Sequence, residues 1–341
     1  MNADTSPIFI MSSERSGSNL LRTLLSNHSD ICAPPAPHLI VSFKNAIPYY
    51  GLLSSKDNAK KLFEDMIVIV NHRLHNWRLK IEFEEMYHKY RPKEFFDFFN
   101  LFYNEKTFLS NKKRFVCKEN AIFNFAVEII DYYKSAKFIY IYRDPRDYVN
   151  SWMNMPLGPN TPLDAASLWY HEQEKCNTLL ETLDNKVFSV KYENLLKNTH
   201  KIITDLLLFL SEPVEDACFQ VQPKNQDLLF SEYWKNLNNE IMRTNYKKYI
   251  GSFNINTINM IETVTKDYMI KLGYEFETNA DWENSKNYMF KNKLKRIIRD
   301  FRDRLTNTET RRSITDRIVL RDALIKNRQE NSEKILNNTK S

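Results

Sequence analysis

Ser12-Ser13-Glu14-Arg15-Ser16-Gly17-Ser18-Asn19 concentrates anion-binding groups in one short polar segment. It separates the apolar run Pro7–Met11 from Leu20-Leu21-Arg22-Thr23-Leu24-Leu25, whose leucines form a helical stripe. A turn that leaves a strand and opens a helix presents unpaired backbone N–H groups, and the helix dipole adds positive potential there. Gly17 permits close backbone approach, Ser16 and Ser18 donate or cap, and Arg15 brings a fixed charge with a fork of donors. The same residues also suit a plain helix N-cap beside a solvated arginine.

A second such place is Phe138–Trp152, FIYIYRDPRDYVNSW. Arg143 ends an apolar run, Pro145 suits the first turn of a following helix, and Ser151 lies about two helical turns beyond Arg143. Ligands of open α/β sheets bind outside the carboxyl ends of the strands. Two anion sites at two strand ends therefore point to one ligand with two separated phosphates. The competing reading is an ion-pair cluster of Arg143, Asp144, Arg146 and Asp147.

Four β-type runs, Ile8–Met11, Phe115–Lys118, Phe138–Tyr142 and Val187–Tyr192, alternate with helical patterns. This predicts an α/β fold whose central parallel sheet is flanked by helices. The expected organisation is one domain over residues 1–285, a helical insertion at about 44–113 and a basic helical tail over 286–341. Residues 291–341 hold 15 Lys/Arg against 7 Asp/Glu, so the tail carries the excess in a chain of net charge +6. Leu294, Ile297, Ile298, Phe301 and Leu305 predict an amphipathic basic helix, with fraying beyond Gln329. Such a helix suits either peripheral membrane contact or packing on the domain. The near-neutral body and the lack of interleaved aromatics in the tail argue against nucleic acid.

Composition removes other classes. With 341 residues and 42% hydrophobic content the chain can bury a core. Its five glycines spell neither G-x-G-x-x-G nor G-x-x-x-x-G-K-[ST]. Cys32, Cys117, Cys176 and Cys218 are scattered, which suits buried thiols in a reducing cytoplasm rather than zinc or disulfides. No signal peptide or membrane-spanning run is apparent. His72 and His75 share a helical spacing but lack a third ligand, so no metal is expected. Trp152, Trp169 and the Phe95–Tyr103 stretch read as core, with acceptor-lining as the alternative.

Together SERSGSNLL, FIYIYRDPRDYVNSW, VFSVKYENLLKN and KLGY resemble the sulfotransferases that use 3′-phosphoadenosine-5′-phosphosulfate (PAPS), over roughly residues 7–277. The resemblance implies a P-loop NTPase-like sulfotransferase fold and transfer of a sulfuryl group to a hydroxyl or, second, an amine. It implies that Arg15, Ser16, Gly17, Ser18 and Asn19 hold the 5′-phosphosulfate, that Arg143 and Ser151 hold the 3′-phosphate, and that Tyr192 lies near the adenine. Lys118 would face the sulfuryl group, and 3′,5′-adenosine bisphosphate (PAP) would be the product. Glu14 stands where the family has Pro, Asn19 where it has Thr, and Glu119-Asn120 where Thr/Asp-Pro is common. In Pro34–Ile40, PPAPHLI, Ala36 replaces a glutamate found in some relatives, leaving His38 as candidate general base and Glu119 as its substitute. The catalytic set is thus His38, Lys118 and Arg15, acting on a small-molecule, lipid or glycan acceptor in the cytoplasm. The alternatives are a P-loop-like nucleotide kinase, for which the Walker lysine is missing, and a non-catalytic binder of a nucleotide or sulfated glycan.

Overall fold

The computed structural model describes residues 6–72, 76–155, 158–221, 240–281 and 309–338. Five parallel strands, β1 (Ile8–Ser12), β2 (Ile31–Cys32), β3 (Arg114–Cys117), β4 (Lys137–Tyr142) and β5 (Val187–Lys191), lie in the order β2-β3-β1-β4-β5. From β1 the chain moves outward to β2, returns through β3, and crosses to β4 on the other side of β1. The carboxyl ends of β1 and β4 therefore flank the topological switch point.

Strand alternation divides the interior in two. Phe9, Met11, Phe115, Cys117, Phe138 and Tyr140 point into one core, and Ile8, Ile10, Val116, Ile139, Ile141 and Val190 into the other. Burial of both faces explains why these strands read as continuous apolar runs. The second face is covered by α1 (Ser18–Ser26), through Leu21, Leu24 and Leu25, and by α10 (Thr199–Leu210), which follows α9 (Tyr192–Lys197).

The first face carries α2 (Leu39–Phe43), a 3-10 turn (Lys44–Tyr50), α3 (Lys56–Val70), α4 (Phe83–Tyr90) and α5 (Phe95–Leu109), the last four lying within the expected helical insertion. The aromatics of α5 are core: Phe95, Phe96, Phe98, Phe99, Phe102 and Tyr103 are all buried, and Phe99 stacks at 6.3 Å on Phe9 of β1. After α6 (Ala126–Tyr132) and β4, α7 (Pro145–Met153) packs with α8 (Pro162–Leu183) and α11 (Ile255–Lys271) around Trp152 and Trp169.

The final helix, α12 (Glu309–Asn338), runs past Gln329, where its polar composition predicts fraying. Arg328 supplies the reason, donating from Nε and Nη2 to the two Asp65 oxygens of α3, both at 2.9 Å. Leu320, Leu324 and Ile325 pack against the larger core. The proposed amphipathic segment Leu294–Leu305 lies outside the described residues, as does His75. Among the described residues no group of three or more His, Cys, Asp or Glu could hold a metal, and no helix is long and apolar enough to cross a membrane. All four cysteines are buried free thiols.

Candidate active site

The loop after β1 is shaped by two left-handed residues, Arg15 (φ 63°) and Gly17 (φ 90°). Gly17 is required twice over. Its φ disfavours a side chain, and a Cβ there would stand 2.1 Å from Cδ2 of Tyr192. No side chain caps α1, so its first amides remain available to an anion. Ser16 Oγ is buried with no hydrogen-bond partner.

The Arg143 motif separates into a structural half and a binding half. Asp144 caps α7 by accepting from the Arg146 amide at 2.9 Å, with Pro145 in the first turn. Arg146 donates to Asp144 and to Glu262 of α11, both at 2.7 Å. The ion-pair reading thus holds for Arg146 and Asp144, with Glu262 as a third member, and for Arg143 and Asp147 at 4.0 Å; the buried triad holds α7 in place. Arg143 points elsewhere. Its Nη1 donates to the Arg15 carbonyl at 3.1 Å and its Nη2 to the Asn245 carbonyl at 3.3 Å, while its guanidinium lies 4.8 Å from the Tyr192 ring centre. Arg143 Nε is buried without a partner. Trp169 holds the Arg143 carbonyl through an N–H bond of 3.1 Å.

Arg15 Nε donates to Ser151 Oγ at 3.0 Å, so the two strand-end sites touch. Burial pulls the Arg15 guanidinium below its ordinary value; Glu14 opposes that pull and Arg143 adds to it. Tyr192 begins α9 rather than ending β5, since the strand stops at Lys191. There its ring lies over Gly17, and its hydroxyl accepts from Asn245 Nδ2 at 2.7 Å. Glu193 ties this corner together, accepting from the Asp144 amide at 3.0 Å and the Tyr274 hydroxyl at 3.1 Å. Arg15–Asn19, Arg143, Ser151 and Tyr192 thus converge at the switch point.

Lys118 follows β3 and is buried. Desolvation lowers its affinity for a proton; Glu14 works against this, while Arg22 and Arg15 reinforce it. Its Nζ donates to Asn120 Oδ1 at 3.3 Å, and Asn120 in turn donates through Nδ2 to Glu14. Two departures from the family pattern, Glu14 and Asn120, are therefore partners across the ends of β1 and β3.

His38 is half-buried and adopts a left-handed conformation (φ 61°) at the start of α2. Glu119 fixes that turn: its carboxylate accepts from the amides of Leu39 at 2.7 Å and Ile40 at 2.8 Å. Both oxygens are engaged, so Glu119 anchors the His38 turn beside Lys118 instead of standing open as a substitute base. Burial pushes the Glu119 carboxyl up to about 7, against the pull of the Ile40 and Leu39 amides. Glu172 of α8, unflagged by any motif, is also raised to about 7 by burial, with a Ser13 hydrogen bond opposing and the Glu14 charge adding. A folded-state value above the ordinary 4.5 means that the folded protein keeps a proton that the unfolded chain releases. Stability therefore falls as pH rises from about 4.5 to about 7, then levels. Glu119→Gln flattens part of that fall, leaving the share of Glu172 and of Asp147 and Glu193, which burial also raises, as read by urea unfolding across pH. An unchanged slope would mean that Glu119 is ionised throughout.

A family profile described as "Sulfotransferase family" matches residues 7–216. No curated protein matches the sequence. Two solved structures are similar in fold. The sulfotransferase domain from the curacin biosynthetic pathway is 19% identical with TM-score 0.51, covering 80% of this chain and 99% of that one. The sulfotransferase domain of the Synechococcus PCC 7002 olefin synthase is 18% identical with TM-score 0.53, covering 80% and 97%.

Proposed function

The chain belongs to the sulfotransferase family, whose chemistry is sulfuryl transfer, and on that premise we propose that it uses PAPS as donor and a hydroxyl as acceptor. The observation that carries the choice of donor is a pair of orphaned buried groups. Ser16 Oγ and Arg143 Nε lack partners at the two strand ends, where two phosphates of one ligand would sit. PAPS supplies an activated sulfuryl group on a phosphate leaving group. The loop Arg15–Asn19 would hold the phosphosulfate end through backbone amides, the Ser16 hydroxyl and Arg15. Arg143 and Ser151 would hold the 3′-phosphate, with Tyr192 beside them.

In the reaction the acceptor oxygen forms a bond to sulfur as the bond from sulfur to the phosphate oxygen breaks. The acceptor proton passes to the base, and PAP leaves. Lys118 and Arg15 would stabilise charge on the sulfuryl and bridging oxygens. His38 would take the proton as general base. Its turn is set by Glu119, so the base is held against the end of β3 without the glutamate that Ala36 replaces.

The test is release of PAP from PAPS across a panel of alcohols. His38→Ala lowers kcat by about 10²–10⁴ and leaves PAP affinity unchanged. Undiminished turnover would remove His38 as the base. Failure of the wild-type protein to release PAP with any alcohol or amine, despite binding PAP, would favour a nucleotide-binding protein without turnover.

A further inference from the structure

We propose that Arg317 of α12 is a specificity residue that binds an oxyanion group carried by the acceptor, a carboxylate or a phosphate, so that the preferred acceptor is an anionic alcohol. This rests on the sulfuryl-transfer reading of the same site, and it concerns a residue outside the family match, which ends at residue 216.

The inward face of α12 is read from its spacing. Arg317, Leu320, Leu324 and Arg328 recur at three- and four-residue intervals, so they share one helix face. Leu320 and Leu324 pack on the core, and Arg328 is clamped by Asp65, which also accepts from the Tyr50 hydroxyl at 2.7 Å. With α12 held at this end, Arg317 lies about 16 Å away along the axis. It comes within the field of Arg321 on its own helix and, across the fold, of Glu14, next to Arg15, and of Glu119, next to Lys118. The tail thereby delivers a cation to the ends of β1 and β3, on the side where α2 and His38 begin.

Burial and the neighbouring Arg321 disfavour the Arg317 charge, Glu14 and Glu119 offset part of that, and Nε makes no hydrogen bond. Glu14 is engaged by Asn120, and both oxygens of Glu119 by the amides of α2. Arg317 Nε is closed off from solvent and has no acceptor. A buried donor left unmade is costly, and a guanidinium presents a fork that matches carboxylate or phosphate oxygens. The two carboxylates ease the placing of the cation here while its Nε stays unused. A ligand oxygen completes the arrangement.

The test uses the full chain saturated with PAP. It is titrated by calorimetry with ω-hydroxyalkanoates, ω-hydroxyalkyl phosphates and the diols of the same chain lengths. Carboxylates or phosphates should bind about 10- to 100-fold more tightly than the diols, and the stronger series identifies the anion. Arg317→Gln should bring the anionic compounds to the level of the diols, with diol and PAP affinities unchanged. Arg317→Lys should recover part of the difference. Equal binding of anions and diols by the wild-type protein would overturn the proposal. So would an Arg317→Gln variant that weakens diols and anions alike, which would make Arg317 a structural residue. If PAP itself fails to bind, the sulfuryl-transfer reading falls. The same titration without PAP then still decides whether Arg317 holds an oxyanion.

Discussion

Arg143→Ala weakens PAP binding by about a hundredfold or more, read by calorimetry. Removing one partner of a buried, hydrogen-bonded charge pair typically costs 2–5 kcal/mol. Arg143 has the geometry for a loss in that range: it is buried, its Nε has no protein partner, and it bridges the β1 loop and Tyr192. The fold should survive, because α7 is held by Asp144, Arg146 and Glu262. Asp147, 4.0 Å from Arg143, also keeps the amides of Lys247 at 2.6 Å and Tyr249 at 3.2 Å. Arg143→Lys should fall between the two, since it keeps the charge and loses the fork. Wild-type affinity in Arg143→Ala, with the protein folded, would take the 3′-phosphate away from this strand end.

Lys118→Ala lowers kcat by about 10²–10³ while PAP affinity stays within a few-fold. Loss of one preorganised donor to developing charge has effects of this size. The assignment follows from position. Lys118 directly follows β3, next to β1, in the joint field of Glu14, Arg22 and Arg15, and it donates to Asn120 Oδ1. Burial already disfavours its charged form, so an added negative sulfuryl oxygen strengthens its protonation. The contrary result is a loss that falls on PAP affinity at unchanged kcat, which would make Lys118 a ground-state phosphate ligand.

The strand-end motifs were legible in the sequence because they are local. An apolar run, a polar turn and a helical stripe sit in one continuous segment at each place, and the observed β1–α1 and β4–α7 units follow them closely. The alternation of strands and helices likewise sufficed for a parallel sheet. What escaped is short or distant. β2 is two residues long, too brief for any period. Tyr192 reads as the last strand residue on propensity, yet α9 starts there, where Glu193 accepts from the Asp144 amide. Asn245, Glu172 and Arg317 reach the site only through tertiary packing, and no motif surrounds them. Glu14, Glu119 and Asn120 were visible only as departures. Their physical sense, one network joining β1, β3 and α2, needs contacts across more than a hundred positions and across the insertion.

The most direct test of the site is calorimetric titration of the wild-type protein with PAP, run beside ATP with magnesium. PAP should bind tightly and ATP weakly, since the two orphaned groups stand at separate strand ends and no Walker lysine follows Gly17. Tight binding of magnesium ATP without binding of PAP would contradict it, and would make the β1 loop a triphosphate cradle instead.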